Sequence, residues 1–261
     1  MTIKVLGCGN AFSLENGNWC FLVEENKRKM LIDAGWSLPF MLKNNKVNIK
    51  EIDDVYVSHL HSDHVGGLEY LGFARYDWAT KPRTFNTFSS SFKAPRLICN
   101  SILLEELWNF TLKGGMRSIE GIDSTINTFF ETIPVKANES FEWEGWTCNL
   151  IQQIHVMTGS VITPTFGVMM SKPGHATIYF VTDSQHCSPR QLEVFYKNAD
   201  VIFQDCETYP WKFASLVHAN YYQLAGAEET NSVKLTKEIK QKMWLGHYQD
   251  FVNHNKDFYG N

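Results

Sequence analysis

Short apolar runs recur along this chain, and many of them stop at a histidine or an aspartate. Asp54-Val55-Tyr56-Val57 is the clearest run, mostly β-branched and aromatic, the pattern of a buried strand. Residues 3–6, 20–24 and 29–32 read as strands as well, the last two as a hairpin around Glu25-Asn26-Lys27. Residues 38–42 begin a helix, and residues 66–76 continue as one after the Asp54–Val57 strand and its loop. Residues 97–99 read as a strand and 101–112 as a helix, with Ser101 as its N-cap and Glu105-Glu106 in its early turns. Lys113-Gly114-Gly115 then reads as a glycine helix stop, the commoner reason for such a pair, ahead of a phosphate-holding nest.

The second half alternates in the same way. Residues 147–154, 166–170, 177–181, 201–203 and 243–245 read as strands, and residues 191–196 and 236–240 as helices. Residues 77–95 read as irregular, with Trp78, Phe85, Phe88 and Phe92 suited either to a lid or subunit contact or to packing on their own domain. The tail, residues 253–261, reads as a poorly ordered polar end. With no repeat, linker or low-complexity block, the expectation is one α/β domain over residues 1–261.

Composition narrows the function classes. A chain of 261 residues with 44% hydrophobic positions can bury a sizeable core. A net charge of −4 gives no expectation of an extended nucleic-acid surface. The apolar run at residues 1–7 is too short for a signal peptide, and none approaches membrane-spanning length. The six cysteines are scattered without a C-x-x-C pair, which fits reduced thiols. The expectation is a cytoplasmic protein with no membrane partner.

The candidate chemistry starts at Ser58-His59-Leu60-His61-Ser62-Asp63-His64-Val65-Gly66-Gly67. His59, His61, Asp63 and His64 fall within six residues, just past a predicted strand. Side chains alternate along extended chain, so His59 and His61 project to the same side. Imidazole and carboxylate are good zinc ligands, and two pairs from one loop suggest two adjacent ions. One loop histidine would more often be an ordinary surface residue; three with an aspartate at this spacing are not. Later strands end at His155, Asp183 and His247 in the same manner, whereas His175, His186 and His254 fall in turn or tail contexts.

The pattern H-x-H-x-D-H resembles the signature of the metallo-β-lactamase superfamily. Leu31-Ile32-Asp33-Ala34-Gly35 is similar to a segment those proteins carry ahead of the metal loop, where Asp33 would hydrogen-bond the loop. The resemblance implies an αββα sandwich of two mixed sheets flanked by helices. It implies that His59, His61 and His155 hold one zinc, that Asp63, His64 and His247 hold a second, and that Asp183 bridges them. Manganese or iron suits the same donors. Asp63 would also orient the attacking water.

The second half is similar to the ribonuclease Z branch. Residues 199–205 resemble its strand and acidic turn, His218 takes the place of its catalytic histidine, and Asp205 would orient the His218 ring. Thr182 stands where glycine is usual, and Ala219 where a hydroxyl residue follows the histidine. Only residues 156–182 separate His155 from Asp183, which leaves no room for the branch's long tRNA-gripping arm. Residues 112–116, 203–207 and 244–249 resemble compact phage and bacterial members, the anti-Pycsar cyclic-nucleotide phosphodiesterases. That resemblance implies a cyclic mononucleotide substrate and a homodimer. The competing expectations are an RNA 3′-processing nuclease and a protein that sequesters a nucleotide without turnover.

Overall fold

The computed structural model describes residues 1–80, 93–136 and 139–250. The expectations for residues 81–92 and for the 253–261 tail lie outside the described residues. The chain divides into two compact units. The first comprises Met1–Gly7 and Trp19–Glu144, and the second Cys8–Asn18 and Gly145–Asn261.

In the first unit, β1 (Thr2–Gly7), β2 (Cys20–Glu25), β3 (Arg28–Ile32), β4 (Asp54–Val57) and β5 (Arg96–Asn100) lie side by side in chain order. The first three run antiparallel, and β3, β4 and β5 parallel. All four residues of β4 are buried, as the apolar run Val55-Tyr56-Val57 demands in the middle of a sheet. A short ladder joins β6 (Ser118–Ile119) to β7 (Ile122–Asp123). The outermost strand beside β5 is β8 (Glu131–Val135), and β9 (Ser140–Trp143) closes the unit's sequence. Pro134 sits in β8, where an edge position needs no donor from it.

Asp54 anchors the start of β4. It accepts from Arg28 Nε and Nη2 at 2.8 Å each, from Arg96 Nε at 2.5 Å and from Trp143 Nε1 at 2.8 Å. Burial alone would raise its pKa, but these donors outweigh it and hold the carboxyl below the usual range. The strand's far end is thereby fixed, and its C-terminal end delivers the histidine loop.

In the second unit, β10 (Trp146–Gln153), β13 (Thr165–Ser171), β14 (Ile178–Thr182), β15 (Val201–Asp205) and β16 (Met243–Gly246) are adjacent in that order. A small hairpin of β11 (Met157–Thr158) and β12 (Val161–Ile162) interrupts the run between β10 and β13. The β10–β13–β14 part is antiparallel, and β14, β15 and β16 are parallel. Ile151, Tyr179, Val181, Tyr196, Ile202, Leu224 and Ile239 pack as one core behind them. Both sheets are therefore mixed, as expected.

Three local expectations need correction. The helix over residues 101–112 is capped by Asn100, whose Oδ1 accepts from Ile102 N at 3.0 Å; Ser101 is already its first helical residue. Gly114-Gly115 do not stop it: the chain stays helical from Ser101 through a π-helical stretch, Leu107–Leu112, and on to Met116. Gly115 instead permits close approach, since a Cβ there would meet the Glu69 carboxylate at 2.5 Å. The helix Leu68–Thr80 also runs into the stretch read as irregular from residue 77. The six cysteines are free thiols, as expected. Among the described residues no helix is long and apolar enough to cross a membrane.

Candidate metal centre

The first unit carries four of the expected ligands on one loop. His59 follows β4 directly, His61 caps the short helix Ser62–Val65, and Asp63 and His64 lie within that helix. His59, Asp63 and His64 are buried, whereas His61 is exposed. The ring centroids of His59 and His61 are 4.6 Å apart, and those of His59 and His64 4.2 Å. His64 Nε2 is 3.3 Å from Asp63 Oδ2.

Asp33 holds this loop together, the role expected of it. It follows β3 in a left-handed conformation, φ 63°, and its own N–H donates to Tyr56 O at 2.9 Å. Its Oδ1 accepts from Ser58 N at 2.8 Å, and its Oδ2 from Ser58 Oγ at 2.7 Å and from His64 Nδ1 at 2.8 Å. Ser58 Oγ donates to Asp33, so it accepts from His59 Nδ1, 3.0 Å away. Both imidazoles then carry their proton on Nδ1, which leaves the Nε2 lone pair for a metal. Gly67 lets the loop close, because a Cβ there would collide with the Gly35 carbonyl.

The second unit carries the other three expected ligands, His155, Asp183 and His247, at the ends of its strands. His155 follows β10, Asp183 follows β14, Asp205 ends β15 and His247 follows β16. Asp183 Oδ2 lies 3.4 Å from His247 Nε2, 3.7 Å from His155 Nε2 and 3.9 Å from His218 Nδ1. Asp183, Asp205, His218 and His247 offer ligand atoms that all lie within 4.8 Å of one another. His155 Nδ1 donates to Val217 O at 2.8 Å, which again turns Nε2 toward the carboxylate.

Asp205 is the hub of this cluster. Its Oδ2 accepts from His218 Nδ1 at 2.7 Å and from Ser184 N at 2.9 Å, and its Oδ1 lies 3.3 Å from His247 Nδ1. Burial would raise its pKa, but the charges of His218 and His247 outweigh burial and hold it below the usual carboxylate range. Burial would lower His218, but Asp205 outweighs it by charge and hydrogen bond and holds the imidazole above its usual range. His155 has the opposite balance, and burial keeps it below its usual range. Donor sets of neutral imidazole and carboxylate with fixed tautomers fit a divalent cation such as zinc, manganese or iron.

The sequence profile of the family described as "Anti-Pycsar protein Apyc1" matches residues 1–261, the whole chain. The chain belongs to this family. A member from Paenibacillus harenae is 28% identical over 254 residues, covering 97% of this chain and 92% of its own. A member from Bacillus phage BSP38 is 27% identical over 261 residues, covering 95% of this chain and 89% of its own. Among solved structures, the metallo-β-lactamase fold protein YhfI from Bacillus subtilis superposes with a TM-score of 0.69 at 18% identity, covering 97% of this chain and 88% of that one. The fold is that of the metallo-β-lactamases, as the H-x-H-x-D-H loop implied.

Some residues of the site were not expected from the sequence. Ser58 fixes the His59 tautomer, and its place just before the first ligand was the available signal. Val217 acts through its carbonyl, which no side-chain pattern reveals. Thr182 does have a readable signal: it adopts φ 61°, the left-handed region that explains why glycine is usual there.

Asp33 gives the histidine loop its first test. Asp33→Ala removes the acceptor of Ser58 and His64 together. Metal retention is expected to weaken roughly 10–100-fold, the usual scale for losing a group that orients ligands. Competition against a graded chelator series measures it, and retention equal to wild type would remove Asp33 from the orienting role.

Proposed function

We propose that this chain is a dinuclear-metal phosphodiesterase that opens 3′,5′-cyclic mononucleotides to linear nucleoside monophosphates. The observation that carries this reading is the His218–Asp205 pair beside Asp183, in a chain whose family is named for countering a cyclic-nucleotide defence. His59, His61 and His155 would hold one ion, Asp63, His64 and His247 the other, and Asp183 both. Two divalent ions, zinc or alternatively manganese or iron, would supply an activated water and offset phosphate charge.

The protein's own groups do the remaining work. Asp63 orients the attacking water. As water oxygen bonds to phosphorus, one ester P–O bond breaks and the departing oxygen needs a proton. His218 supplies it from Nε2, because Asp205 engages Nδ1. A compact substrate also suits the charge balance, 24 basic residues against 28 acidic, since gripping a folded RNA takes many basic contacts. The reading includes a homodimer, on the strength of the resemblance, and action in the cytoplasm, that of the host if the gene is a phage's. Removal of a signalling nucleotide would make the chain an anti-defence enzyme.

The test is turnover of cyclic CMP, UMP, AMP and GMP beside a 3′-extended tRNA, with and without chelator. Chelator-sensitive opening of several cyclic nucleotides is expected, with loose base preference because stacking tolerates any base. Trimming of the tRNA with no cyclic nucleotide opened would replace this reading with the nuclease. Tight binding without turnover would replace it with a sequestering protein.

A further inference from the structure

The segment between Glu207 and Asn220 is an excursion tied at its neck. Glu207 N donates to Ala219 O at 2.8 Å, and Tyr221 N donates to Glu207 O at 2.9 Å. The Glu207 carboxylate is buried, and both its oxygens accept from Ser215 N at 3.0 Å. Asn220 Nδ2 donates to Tyr209 O at 2.9 Å. Val217 O and the His218 ring are fixed by His155 and Asp205. Leu216 lies between these two fixed ends.

Leu216 combines two local penalties. Its φ is 64°, a left-handed conformation that is unfavourable for a residue with a Cβ. Its side chain is 63% exposed, so folding recovers little from its apolar surface. Glycine or asparagine would suit the backbone better. A non-glycine residue held in this region by over-determined surroundings is a mark of function. Two residues of chain span at most ~7 Å, so the Leu216 side chain starts within about one sugar ring's reach of the His218 backbone.

We infer that Leu216 is a substrate-binding residue, presented on this tied excursion as the apolar surface against which the substrate's nucleobase packs. The inference rests on the cyclic-nucleotide reading above. An aliphatic side chain meets the flat face of any base without reading its hydrogen-bonding edge, which gives affinity with loose base preference. The left-handed turn aims the side chain outward, and the Glu207 brace keeps it there.

The test compares wild type with Leu216→Gly and Leu216→Asn, both of which suit the backbone conformation. The substrates are cyclic AMP and the base-less cyclic ribose 3′,5′-phosphate. For cyclic AMP, KM is expected to rise about ten-fold with a much smaller change in kcat. For the base-less substrate the change in KM should be several-fold smaller. Melting temperature and metal content verify that the variants fold. Equal KM changes on the two substrates, or none on cyclic AMP, would overturn the inference while leaving the phosphodiesterase reading intact. A wild type that opens no cyclic nucleotide would overturn both.

Discussion

Asp183→Ala should abolish turnover, by on the order of 10³-fold or more, and lower the metal content of the purified protein. The expected loss exceeds the roughly 10–100-fold typical of a group that only orients ligands. Asp183 Oδ2 faces three imidazoles within 3.9 Å, so its removal takes away a carboxylate that all three share. Wild type should carry close to two ions per chain, and the variant fewer, with both ions disturbed because Asp183 is assigned to bridge. Asp183→Asn separates charge from size: it should resemble the alanine variant, since an amide does not supply the anionic bridge. Elemental analysis beside a turnover assay decides the matter. A fully occupied and active alanine variant would sink the seven-ligand assignment.

His218→Ala should behave differently. His218 touches Asp205 directly and is assigned to the leaving oxygen, so its loss should spare the metals and slow turnover roughly 10²–10⁴-fold, the usual scale for a general acid. The contrast between the two variants is the informative part: one loses metal and activity together, the other activity alone. A substrate whose leaving group needs no proton, such as a p-nitrophenyl ester, should recover much of the loss in His218→Ala and none in Asp183→Ala. Unchanged turnover of cyclic AMP in His218→Ala would leave that residue a structural histidine in a turn.

Much of this was legible in the sequence because ligands at strand ends leave a local imprint. Val55-Tyr56-Val57 is buried on both faces and therefore reads as an apolar run. His59 to His64 sit within one turn of chain, so their spacing alone carries the chemistry. Asp33 was readable through the resemblance of Leu31-Ile32-Asp33-Ala34-Gly35 to a segment of the superfamily. The less legible features depend on distant chain. The β8 strand (Glu131–Val135) contains Pro134, and only its edge position makes that residue acceptable. Gly114-Gly115 read as a stop because glycine disfavours helix, yet the helix continues through both, with the Glu69 carboxylate close to Gly115. The Ser101 assignment missed by one residue because Asn100 and Ser101 are both good caps, and only the Ile102 N–H geometry chooses between them. The Val217 carbonyl left no trace, because any residue carries one.

The left-handed turns at Asp33, Thr182 and His247 set a conflict between endurance and chemistry. At Asp33 and His247 the side chain that strains the backbone is one the proposed metal site uses. Substituting glycine there would relax the turn and remove the function in the same step. Thr182 is the exception, for its hydroxyl is not assigned a role and glycine would serve its φ of 61°. Evolving this protein for heat resistance without an activity screen would therefore reward two mutations that silence it and one that need not.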